Sequence, residues 1–150
     1  ILKNTKVFKN TLLVLWGREV DNGEVRRKIV EYQLHKNVIL GGFNDQMDIF
    51  WKFCDINLFL SLNDGFGLPI VEGYMHGVPC VTFEDLDATQ DLYYPEAMLK
   101  VKDRSIESVA NALRTSLDKN WNHEEIAEIG NMFSIDSMSE KYVNWYRTLI

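Results

Sequence analysis

The chain has 150 residues, a formal net charge of −6 at pH 7, 46% hydrophobic and 25% charged residues. That length suits one domain with a real core, and the balance is that of globular protein, not disordered chain. The acid excess argues against a nucleic-acid surface, and no apolar run approaches the roughly 20 residues of a transmembrane helix.

The start, Ile1-Leu2-Lys3-Asn4-Thr5-Lys6, has too short an apolar run for a signal peptide, so the expected location is the cytoplasm. Lys3, Lys6 and Lys9 read as a solvated basic face. Thr11 to Trp16 is apolar enough for a buried strand, broken by Gly17 and by Asp21-Asn22-Gly23. A helix is expected from Glu24, with Val25, Ile29 and Tyr32 on one face. Val38-Ile39-Leu40 reads as the second strand, closed by Gly41-Gly42. Asn44 or Asp45 caps a helix whose Met47, Phe50, Trp51 and Cys54 form one stripe, which makes Trp51 a core residue.

Ile56 to Leu62 is almost continuously apolar, as in a parallel strand covered on both faces, and runs into an Asn-Asp-Gly turn. Pro69 suits the first position of a helix that Gly77 and Pro79 terminate. Its free N–H groups, approached through Gly65 and Gly67, are suited to an anion, most often a phosphate. Glu72 lies one turn into this helix among apolar neighbours, where a carboxylate must find donors or protonate. It reads either as a satisfied structural carboxylate or as an acceptor for ligand hydroxyls. Together with Asp64 it would suit a hydroxyl-rich ligand such as a sugar nucleotide.

Pro79 to Phe83 is the fourth strand, followed by the acidic stretch Glu84 to Asp91, in which Thr89 stands out as a candidate ligand-facing residue. Met98 to Val101 is a short strand. Ile106, Val109, Ala110, Leu113 and Leu117 mark a long helix starting near Ser105. A further helix covers Glu124 to Phe133. The last, from Asp136, carries Met138, Tyr142, Trp145 and Leu149 along one side, and most of these are expected to pack on this domain. Cys54 and Cys80 read as buried free thiols, and three scattered histidines suggest no metal site. Strands alternating with helices predict an α/β fold, a Rossmann-like doubly wound parallel sheet with its site at the C-terminal strand ends.

The stretch Asp64-Gly-Phe-Gly-Leu-Pro-Ile-Val-Glu72, with Gly77-Val78-Pro79 after it, resembles the acidic-x7-Glu signature of family 4 retaining glycosyltransferases of the GT-B fold. The resemblance implies the C-terminal, donor-binding domain, here as a fragment without the N-terminal acceptor domain and the first strand. It implies that Glu72 holds the ribose hydroxyls of a UDP-, GDP- or ADP-sugar and that Asp64 orients the transferred sugar. The backbone of Gly65, Phe66, Gly67 and Leu68 would meet sugar and diphosphate, and Gly42 would lie beside the base. No metal or other cofactor is implied. The missing domain is expected as a partner and as the route to any peripheral membrane contact. Asp64 stands where the family usually has Glu, the Glu84–Asp91 loop is more acidic than usual, and the family's donor-facing Arg and Lys are not found. A non-catalytic sugar-nucleotide-binding domain or partner subunit therefore stays open, as does a GT-B isomerase or phosphorylase.

Overall fold

The computed structural model of the chain describes residues 10–18 and 22–149. They fall into two compact units, Ile1–Met47 and Asp48–Ile150. Lys3, Lys6 and Lys9 lie outside the described residues.

In the first unit, β1 (Leu13–Trp16) pairs in parallel with β2 (Val38–Gly42), and α1 (Glu24–Glu31) connects them. The register slips by one residue after Leu15, so that Trp16 faces Gly42. The Trp16 indole occupies the space that a Cβ on Gly41 would need, which explains glycine there. The two glycines thus end the strand from within it.

Helix α2 (Met47–Trp51) begins on the last residue of the first unit, and before it the Asn44 side chain accepts from the Gln46 N–H at 2.8 Å. Trp51 is buried, as its position on the apolar stripe predicts. A three-stranded parallel sheet follows, with β4 (Cys80–Phe83) between β3 (Asn57–Phe59) and β5 (Met98–Val101). Every residue of β4, the polar Thr82 included, is buried, consistent with its central place in the sheet. β3 is shorter than its apolar run suggests: pairing ends with Phe59 opposite Thr82, and Leu62 is 80% exposed. Apolar character beyond Phe59 belongs to the loop, not to a doubly covered strand.

Helix α3 (Leu68–Met75) follows β3, and the four-residue α4 (Ala88–Asp91) follows β4. After β5 come α5 (Ile106–Asp118), α6 (His123–Asn131) and α7 (Ile135–Arg147). Ser105, Asn122 and Ser134 cap the last three, each side chain accepting an N–H three residues on. On α5 the buried face is Val109, Ala110, Leu113 and Ser116; Ile106 and Leu117 are exposed, contrary to the apolar pattern. Ser116 is buried because its carbonyl accepts the Trp121 indole N–H at 2.8 Å, folding the chain after α5 back over it.

The core joins Ile70, Val71 and Tyr74 of α3 to Cys80, Met98, Leu92, Trp121, Ile126 and Ile129. α3 and α6 approach most closely where Gly130 meets the backbone of Tyr74 and Met75. The α7 aromatics do not pack as expected. No residue of that helix is buried, and Met138, Tyr142 and Trp145 are exposed, as is Leu149 just beyond it. Among the described residues no helix is long and apolar enough to cross a membrane.

Candidate functional site

Parallel pairing of β3, β4 and β5 brings their C-terminal ends, and the three loops that leave them, to one edge of the sheet. The loop after β3 holds Asp64, Gly65, Phe66 and Gly67. Gly67 adopts φ +82° at the N-terminus of α3, and its α-carbon lies so close to Ala88 that a Cβ would stand 3.0 Å from the Ala88 methyl. Glycine is needed there on both grounds. Gly65 has open space around it and an ordinary φ. Pro69 lies in the first turn and Gly77, at φ +74°, follows the C-cap His76, as the sequence predicts.

Asp64 turns back onto its own loop. One carboxylate oxygen, Oδ1, accepts from the Phe66 N–H at 3.1 Å and from the Gly67 N–H at 2.5 Å. Aspartate is short enough to close this turn onto the amide two residues ahead. The amides of Ile70 and Val71 both bond to the Gly67 carbonyl, at 2.8 and 3.3 Å. Of the amides expected to meet sugar and diphosphate, those of Gly65 and Leu68 have no protein acceptor among the described residues.

Glu72 differs from its expected setting. Val71 and Gly73 on either side are buried, but Glu72 is exposed and has no side-chain partner among the described residues. The apolar neighbours face the core on other sides of the helix, so the carboxylate needs neither donors nor a proton from the protein. α3 itself is held rigidly. Asn57, buried at the start of β3, donates from Nδ2 to the Pro69 carbonyl at 2.8 Å, and the Tyr74 hydroxyl donates to the Leu92 carbonyl at 3.1 Å. Burial raises the Tyr74 phenol well above its usual range.

Thr89 is buried beneath the turn after β4. Its hydroxyl is directed to the Leu86 carbonyl at 2.6 Å, with the Glu84 carbonyl at 3.1 Å, so it closes the turn from inside. Two of the four acids of this stretch are paired: Glu84 with Lys100 at 3.8 Å and Asp85 with Arg104 at 3.0 Å. Gly42 belongs to the first unit, at φ +68° with open space about it. Arg18, in the same unit, lies over the Phe43 ring at 5.2 Å. Sequence reading missed Asn57 and Arg104, whose partners lie 12 and 19 residues away, distances at which periodicity carries no signal.

The family model for glycosyl transferases group 1 matches residues 1–131. The chain belongs to that family. Poly(glycerol-phosphate) alpha-glucosyltransferase of Bacillus subtilis is 24% identical over 138 residues, covering 91% of this chain and 20% of that protein. Sucrose-phosphate synthase from Thermosynechococcus elongatus superposes with a TM-score of 0.78 at 21% identity, over 91% of this chain and 38% of that one. Anabaena HepE in complex with UDP does so with a TM-score of 0.74 at 16% identity, over 97% and 45%. The chain thus spans less than half the length of each. Its fold is that of the GT-B glycosyltransferases, with parallel sheets flanked by helices.

Proposed function

We propose that this group 1 domain binds the donor of a retaining glycosyltransferase, a sugar carried on a nucleoside diphosphate. The observation that carries the reading is Glu72, an exposed carboxylate with no side-chain partner among the described residues, on a helix whose other faces are fixed in the core, one turn beyond a glycine loop at the strand ends. A carboxylate so placed accepts two hydroxyls of a ribose without any rearrangement of the protein. HepE, of the same fold, is described with UDP, which supports a nucleoside diphosphate as the ligand class.

In this reading the α3 N-terminus and the Leu68 N–H face the diphosphate, where charge develops as the sugar departs. Asp64 holds the loop with Oδ1, leaving Oδ2 for a sugar hydroxyl. A phosphate oxygen that takes the Phe66 and Gly67 amides displaces Oδ1, so the two states of Asp64 are linked to donor occupancy. No metal is assigned a role. Thr89 shapes the turn after β4 rather than offering its hydroxyl. The acceptor is held by another domain of the protein, which also covers the exposed aromatic face of α7.

A second reading, nucleotide-sugar binding without turnover, is favoured by one observation: Asp64 already occupies two amides that the diphosphate would use. Calorimetric titration with UDP, GDP and ADP tests the donor site. One nucleotide should bind, and Glu72→Ala should weaken it about tenfold or more while leaving the fold intact. Absence of binding by all three to the full-length protein would remove both readings. Binding without transfer by the full-length protein would select the second.

A further inference from the structure

At the C-terminal edge of the sheet, chain segments from three strands meet on one guanidinium. Arg104, just beyond β5, donates from Nη2 to Asp85 Oδ1 at 3.0 Å and from Nε to Asp85 Oδ2 at 3.3 Å. Such a two-pronged contact fixes orientation as well as distance. Nη1 reaches the Ser61 carbonyl at 3.5 Å, and Cζ stands 4.4 Å from the centre of the Phe83 ring. Ser61 leads into the glycine loop from β3. Asp85 opens the turn after β4, whose Ala88 methyl abuts Gly67. Arg104 therefore ties the entry of the glycine loop to the turn that walls its far side.

Charge gives this clamp a consequence for ligands. The turn carries Glu84, Asp85, Asp87 and Asp91 within eight residues, close to a loop that would receive an anion. Lys100 offsets Glu84, and Arg104 offsets Asp85. An exposed pair of this kind adds little to folding, but an uncompensated carboxylate beside a diphosphate opposes its binding.

We propose that Arg104 is a positioning residue for the donor: by holding and neutralising Asp85 it sets the affinity for a nucleoside diphosphate without touching it. The proposal rests on the donor-site reading above. Its test is titration of the full-length protein with whichever of UDP, GDP and ADP the wild type binds, alongside donor kinetics. Arg104→Ala should weaken binding and raise the donor KM about five- to tenfold, with kcat within about twofold and the melting temperature nearly unchanged. Adding Asp85→Asn to Arg104→Ala should restore most of the affinity, since the opposing charge is then gone. Wild-type affinity in Arg104→Ala would overturn the proposal. So would a loss that Asp85→Asn fails to repair, which would make Arg104 a direct ligand of the nucleotide. Failure of the wild type to bind any of the three would instead bring down the donor-site reading, and this proposal with it. Should Arg104→Ala not fold, Arg104→Lys, which keeps the charge and loses the fork, should show a smaller loss repaired in the same way.

Discussion

Substituting Gly130 by alanine sets two known effects against each other. Gly130 lies inside α6, where alanine favours the helix by about 1 kcal/mol. An added Cβ, however, would stand 2.5 Å from the Tyr74 carbonyl carbon and 2.6 Å from the Met75 Cα, and closest to the Met75 amide nitrogen. Carbon pairs rest at about 3.5–4.0 Å, so α3 and α6 must part by about 1 Å. All three atoms are backbone and cannot rotate aside. Overpacking of this kind costs about 3 kcal/mol at the upper end of its usual range, leaving a net loss of about 2 kcal/mol. For a chain of this size that is a fall of roughly 4–8 °C in melting temperature. Urea unfolding should show a lower midpoint at an unchanged slope. Because α3 carries Glu72 and borders the glycine loop, nucleotide affinity should fall with it. Gly65→Ala, with open space and no positive φ, should stay within about 0.5 kcal/mol of wild type. A Gly130→Ala protein as stable as wild type would refute the close approach of the two helices.

Glu72→Ala, at an exposed position without a partner among the described residues, should unfold within about 0.5 kcal/mol of wild type, so that any loss of nucleotide binding reports on the site; a larger shift in urea would place Glu72 in the fold instead. Asp64→Ala removes the acceptor of two loop amides, and hydrogen exchange at Phe66 and Gly67 should quicken at least tenfold, whereas unchanged exchange would deny the turn. Tyr74→Phe leaves the buried Leu92 carbonyl without its hydroxyl donor and should cost about 1–2 kcal/mol in denaturant melts. Burial pushes the Cys80 thiol well above its ordinary 9.0. The unfolded chain releases that proton at a pH where the native chain keeps it, so stability contributed by Cys80 is complete below pH 9 and falls as pH rises beyond it. Cys80→Ala should flatten that slope, and native Cys80 should resist alkylating reagents longer than the half-buried Cys54.

Local chemistry made much of this domain legible. Pro69 and Gly77 bracket α3 because one lacks an N–H that a first turn does not need and the other tolerates φ +74°. Ser105 and the apolar face after it announced α5, and Pro79 to Phe83 was legible as the fourth strand. The alternation of strands and helices put the candidate site where the parallel strands end. These features depend on backbone sterics, capping and periodicity, all of which act within a few residues.

The directions in which side chains finally point were decided by tertiary packing. Glu72 sits in an apolar stretch, yet the α3 faces bearing Ile70, Val71 and Tyr74 take the core and leave it outside. Thr89 looked like a ligand-facing residue, and the turn after β4 drew its hydroxyl inward to two carbonyls. Asn57 interrupts an apolar strand without apparent reason until its amide is found on the Pro69 carbonyl. Arg104 joins residues 19 and 43 positions away, and Gly130 is fixed by the backbone of a helix that precedes it by more than fifty residues. The sequence by itself determined the order of the strands and of every helix but α4, the bounds of α3 and the edge of the sheet at which Asp64 and the glycine loop lie. Only the tertiary structure decided which carboxylate is free, which amides are taken and which cation stands beside them, because those outcomes depend on neighbours brought together by the whole fold.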